Sequence, residues 1–177
     1  MAQTTHILFF RNMNLGHPGS PTRQQLETAC LEAGATTATS FQTNGTLLFQ
    51  TAAPDEVKDR MAQTLANVGY RDTGFLRTIN WLDGIVPSLP APDPIRAFYR
   101  ETFTIYDATT DPELPTPWTS PDGLVELDTI TRNCAHGLCW KPRSQAGSPT
   151  AHIENLLNTP ATTRTMGTIQ RLLARPR

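Results

Sequence analysis

Two short stretches hold residue types from which chemistry could be built. The first, FFRNMNLGHPGSP at residues 9–21, is the end of an apolar strand that becomes a polar, glycine-studded loop with Arg11 in its mouth. A strand that feeds such a loop into a helix N-terminus offers backbone N–H groups and a helix dipole to an anion, and Arg11 would add a bidentate contact. Neither the P-loop pattern with its lysine nor the dinucleotide fingerprint G-x-G-x-x-G is present, and Gly16 and Gly19, with Pro18 between them, are also ordinary turn residues. The loop therefore reads either as a turn or as a ligand contact. His17 lies in it and is the histidine best placed for acid–base work beside Arg11.

The second stretch, CAHGLC, puts Cys134, His136 and Cys139 within six residues, all three of types that bind zinc. A structural zinc site wants four ligands in paired short motifs, no second pair occurs, and Cys30 and His152 are the only loose candidates. The expectation is no metal, and a hairpin turn carrying two buried thiols. Neither G-x-S-x-G nor H-E-x-x-H occurs, and Glu126 and Asp128, two apart on a strand, are expected to share a solvated face.

Composition narrows the function classes. With 15 basic and 16 acidic residues the net charge is −1, so no global field draws the chain to nucleic acid or to an anionic membrane. An RNA platform on a sheet would need aromatics on its central strands; GTLLFQT has Phe49 alone and lacks the RNP1 pattern, so Phe9, Phe10, Phe41 and Phe49 are read as core. No stretch approaches the roughly 20 apolar residues of a spanning helix, and MAQTTHILFF lacks the charged region and cleavage site of a secretion signal. A cytoplasmic protein with three reduced cysteines, no cofactor, and a monomeric or homodimeric state is expected.

The elements that must position these residues follow from periodicity. HILFF is a buried strand; Ser20-Pro21 reads as an N-cap with proline at the first helical position, opening a helix to about Ala33 with Leu26, Ala29, Cys30 and Ala33 on one face. TATSFQT and TLLFQT flank Asn44-Gly45, which predicts a hairpin with a two-residue type I′ turn. Val57, Met61, Leu65 and Val68 predict a helix from Pro54 to about Val68, and RDTGFLRT another strand. The order β-α-β-β-α-β predicts a ferredoxin-like α+β half over residues 1–86. A proline-rich linker at 87–94 then leads to a smaller α+β half over 95–177, packed against the first. In that half a strand around AFYRETFTIYD puts Tyr99, Phe103 and Ile105 on one face, the strands LVELDTITR and GLCWK follow, and helices start at Ser148-Pro149 and in MGTIQRLLA.

Three blocks resemble the bacterial family known as domain of unknown function (DUF) 1697. The opening loop matches a family form R-G-x-N-V-G-G, with Ile, Val or Met at x, through Arg11, Asn14 and Gly16, while Asn12 and His17 stand where glycines are usual. SFQTNGTLLF, residues 40–49, aligns without gaps to a family block of the form S-F-R-A-S-G-N-V-V-F. TTRTMGTIQRLL resembles a helix start of the form R-N-x-x-T and keeps Arg164, Thr168 and Arg171, with Thr165 in place of the asparagine. The resemblance implies a compact cytosolic α+β protein of two ferredoxin-like or related subdomains, with no established activity.

Each of the three blocks sits at a strand end or a helix start. The expectation is that Arg11, Asn14, Gly16, Asn44, Thr46, Arg164 and Thr165 form a polar pocket for a small anionic or nucleotide-like ligand at the seam of the halves. Two alternatives are an enzyme using His17 and Arg11 on a small acid or phosphate ester, and a protein-interaction module without a pocket.

Overall fold

The apolar spacing is realised in two separate sheets. A computed structural model describes residues 4–175 of the chain, which divides into units of residues 1–84 and 85–177. The fold is α+β, with two antiparallel sheets and, among the described residues, five α-helices.

The first unit runs β1 (Thr5–Phe10), α1 (Arg23–Glu32), β2 (Thr37–Phe41), β3 (Thr46–Gln50), α2 (Pro54–Asn67), β4 (Gly74–Thr78) and α3 (Ile79–Ile85). Its strands lie in the order β2-β3-β1-β4, every neighbouring pair antiparallel. Leu8, Phe10, Leu47 and Phe49 alternate along β1 and β3 onto one face and meet Leu26, Ala29 and Cys30 of α1 and Val57, Met61 and Leu65 of α2. Burial in this core pushes the Cys30 thiol up to about 12.

Two local expectations give way to better-satisfied hydrogen bonding. Helix α1 is capped by Thr22, not by Ser20: Thr22 and Gln25 form a reciprocal capping box, while the Ser20 hydroxyl accepts from the Asn14 N–H at 3.0 Å. The β2–β3 connection is a four-residue loop, since Phe41 pairs with Thr46, and positive φ falls on Gln42 and Gly45 rather than on Asn44. Gly45 is required there, because a Cβ would sit 2.7 Å from the Cβ of Met13.

The second unit runs through a 3-10 turn (Val86–Ser88), β5 (Arg100–Tyr106), β6 (Trp118–Thr119), β7 (Val125–Ile130), β8 (Cys134–Cys139), α4 (Pro149–Leu157), β9 (Ala161–Thr165) and α5 (Met166–Leu173). Its sheet order is β6-β7-β8-β5-β9, again antiparallel. Ser148 caps α4 with Pro149 at its start, as its sequence predicts. Three features differ from expectation. CAHGLC is the buried strand β8 itself and not a turn, ATTRT forms the additional strand β9, and Tyr99 precedes β5 and is exposed.

Four strands of this sheet, β7-β8-β5-β9, repeat the order β2-β3-β1-β4. The register repeats as well: Ile7 pairs with Leu48 and Arg77, and Phe103 pairs with His136 and Arg164. Where the first unit inserts α1 after its first strand, the second inserts a loop and the short β6.

Candidate functional site

The opening loop is closed by its own backbone. Leu15 N–H donates to Thr43 at 2.8 Å, Gly16 N–H to Pro21 at 3.0 Å and His17 N–H to Asn14 at 3.1 Å, while Gly16 and Gly19 take φ of +83° and +77°. The α1 N-terminus carries its own capping box, in which the Gln25 N–H donates to Thr22 Oγ1 at 3.2 Å. Arg11 is held by Asp72, Nη1 to Oδ2 at 2.7 Å, and the Asn12 side chain donates to the same oxygen at 2.8 Å. The Arg11 carbonyl accepts from the Tyr70 hydroxyl at 2.6 Å. An arginine neutralised by a carboxylate at this distance is a brace between β1 and the turn before β4, and a weak clamp for a second anion. His17 is exposed, and among the described residues no side chain hydrogen-bonds and orients its ring.

The hairpin residues are similarly engaged. Thr46 is fully buried and its hydroxyl donates to Asn44 Oδ1 at 2.9 Å, while Asn44 Nδ2 lies 3.4 Å from Gln42 Oε1. These contacts shape the loop, and Asn14, Asn12, His17 and Thr43 are exposed around it.

A different arrangement occurs where β9 passes into α5. Arg164 is only 6 % exposed, and its Nη1 donates to Thr162 Oγ1 at 2.8 Å and to the Thr163 carbonyl at 3.1 Å. Thr165 caps α5 by accepting from Thr168 N–H at 3.3 Å, and the two hydroxyls are 3.1 Å apart. Arg171 folds back along the first turn: its guanidinium passes over Gly167 and reaches Thr168 Oγ1 at 3.5 Å. No acidic residue occupies that first turn. The junction thus carries two donor groups in sequence, Arg164 with Thr162 on β9 and Arg171 with Thr165 and Thr168 at the start of α5, of types suited to an anion. Thr162, Thr168 and Arg171 were not anticipated as site residues; the β-branched run TTRT marks Thr162, and the block TTRTMGTIQRLL carries Thr168 and Arg171.

The matching junction of the first unit carries Arg77, 9 % exposed, whose Nη1 donates to the Leu76 carbonyl at 2.7 Å, and Thr78, which accepts from Trp81 N–H at 3.1 Å. There the guanidinium lies 5.1 Å from the Trp81 ring centroid. Trp81 stands where Thr168 stands in the second unit, three residues past the capping threonine.

On β8, Cys134 and His136 alternate to one face and Cys139 to the other, where it joins Ala135 in the core under α4. The three residues cannot enclose one ion, and no metal-holding cluster of His, Cys, Asp and Glu occurs among the described residues. His136 is fully buried with Nε2 2.8 Å from Glu101 Oε1. Glu126 and Asp128 are half-buried rather than solvated. Arg96 holds the Glu126 carboxyl below the usual range, while burial and then neighbouring Glu126 raise that of Asp128. Among the described residues no helix is long and apolar enough to cross a membrane.

Comparison with known proteins agrees with this architecture. The chain resembles a conserved bacterial protein from Streptococcus pneumoniae of known structure, with a TM-score of 0.63 at 19% sequence identity over 97% of this chain and 98% of the other. At that identity the likeness speaks for the fold alone. No curated protein matches the chain in sequence. Residues 3–121 match the model of a family described as protein of unknown function (DUF1697), and the chain therefore belongs to the DUF1697 family.

Proposed function

We propose that the protein binds a small anionic ligand, a nucleotide or another compact phosphate or carboxylate, and that the β9–α5 junction supplies its principal contacts. The observation that carries this reading is the density of donors along residues 162–171: Arg164 bonds the Thr162 hydroxyl, and Arg171 reaches that of Thr168, which lies 3.1 Å from that of Thr165. Arginine offers a rigid fork that matches phosphate and carboxylate geometry, and threonine hydroxyls serve as donors or acceptors.

A thermal-shift screen against nucleotides, sugar phosphates, small carboxylic acids and coenzymes tests it. A ligand at about 100 times its Kd stabilises by about 2.7 kcal/mol, and that gain should vanish in Arg164→Lys, which keeps the charge but loses the fork. Stabilisation that is equal in wild type, Arg164→Lys and Arg171→Lys contradicts the assignment, as does the absence of any stabilising anion.

A further inference from the structure

The segment that leads into β5 is built as a strap with its apolar side chains turned outward. Arg96 grips Glu126 with both guanidinium nitrogens, Nη2 to Oε2 at 2.8 Å, and lies 4.8 Å from the Trp140 ring centroid. Trp140 Nε1 donates to the Ala97 carbonyl at 2.8 Å, and Tyr99 N–H donates to the Cys139 carbonyl at 2.9 Å. Held in this way, the strap leaves Ile95 90 % exposed, with Phe98 and Tyr99 about two-fifths exposed. Ile95 is the most exposed large apolar side chain among the described residues.

Cations flank the exposed Tyr99 ring. Arg100 and Lys141 lie 4.6 and 5.3 Å from the Tyr99 ring centroid, and Arg143 is exposed nearby in sequence. No described carboxylate pairs with Arg100 or Lys141. Of the acids in the region, Glu126 pairs with Arg96, Glu101 with His136, Asp93 accepts from the Ile95 N–H at 3.1 Å, and the half-buried Asp128 interacts with Arg96 and His136. The rings of Tyr99 and Trp140 are covered by their own cations, so they are poor platforms for stacking nucleobases. An exposed isoleucine and phenylalanine next to uncompensated cations instead match a chain that alternates apolar side chains with carboxylates.

We infer that the strap of residues 95–100, with Lys141, is a docking surface for an acidic, apolar-studded segment of a partner protein. Leucine-type side chains of that segment cover Ile95 and Phe98, and its carboxylates face Arg100 and Lys141. The inference uses none of the side chains assigned to the β9–α5 junction, so its test is separate from that of the anion site.

The test is fluorescence anisotropy of a fluorescein-labelled peptide in which glutamates alternate with leucines, titrated with the full chain. Three competitors accompany it: the same peptide with lysines for glutamates, a glutamate-only peptide, and oligouridylate. The inference expects saturable binding of the acidic-apolar peptide alone, weakened by added salt and weakened about tenfold by Ile95→Ser or Lys141→Glu. Both positions are exposed, so thermal melting of the variants should match wild type. Absence of saturable binding, affinity unchanged by both substitutions, or preference for oligouridylate or the lysine peptide overturns it.

Discussion

Ile7 of the first unit and Phe103 of the second occupy the same place in two sheets of one strand order, each flanked by an arginine on the last strand. Around that shared frame the two units are closed differently. The first packs α1 and α2 on one face and fills the centre of β3 with Phe49. In the second, the place of Phe49 falls to Gly137, where a Cβ would meet the Glu126 carbonyl oxygen at 1.9 Å, because the irregular β7 presses against β8. The comparison separates what the frame needs from what one unit adds. An arginine and a capping threonine at the end of the last strand occur in both, and so serve the strand-to-helix corner itself. Arg171 and Thr168 in place of Trp81 occur in the second alone, and there a ligand role has its best support.

The comparison can be broken first at its packing centres. Phe49→Ala should cost about 4 kcal/mol in urea denaturation, through lost burial and the cavity left between sheet and helices. At the matching place the opposite change is expected to hurt: Gly137→Ala should cost about 3 kcal/mol, since backbone rather than a flexible side chain must yield. A tolerated Gly137→Ala would mean the two sheets are not closed differently after all. The corners come next. Removing a cap, Thr165→Ala in the second unit or Thr22→Ala in the first, should cost about 1 kcal/mol each, with Ser restoring most of it. Ligand response should then divide the two arginines: Arg164→Lys abolishes anion-induced stabilisation, and Arg77→Lys leaves it in place.

The smallest effect is a pH slope. His6, at the head of β1, has its pKa lowered from 6.5 chiefly by burial, with the Thr51 backbone and Asp55 acting in opposition. The unfolded chain therefore takes up a proton more readily than the native one, so this contribution is whole above about pH 6.5 and is lost as pH falls below it. The matching residue of the second unit is Thr102, which does not titrate. His6→Phe should flatten the loss of stability on mild acidification; an unchanged slope would place its origin elsewhere.

Much of this fold was legible because its elements are long and periodic. The Val57, Met61 and Leu65 stripe marks α2, and Ser148-Pro149 marks the start of α4. What escaped was decided by contacts remote in sequence or by competition between near-equal neighbours. Ser20 and Thr22 are both good caps, and only Thr22 has Gln25 at the spacing of a capping box. ATTRT is short and polar between two helices, yet its β-branched threonines suit the edge of the sheet beside β5. Gly137 reads as a turn glycine in the sequence and is a close backbone approach in the sheet. Asp72 lies 61 residues beyond Arg11, so no local pattern could show that the arginine is already held.

The most direct test of the ligand assignment is an amide chemical-shift titration of the isotopically labelled protein with adenosine monophosphate and, separately, inorganic phosphate. The account predicts shifts concentrated in residues 162–171, spanning the end of β9 and the first turns of α5, and absent in Arg164→Lys. Shifts centred on the opening loop around Arg11 and His17, or none at millimolar ligand, would contradict it.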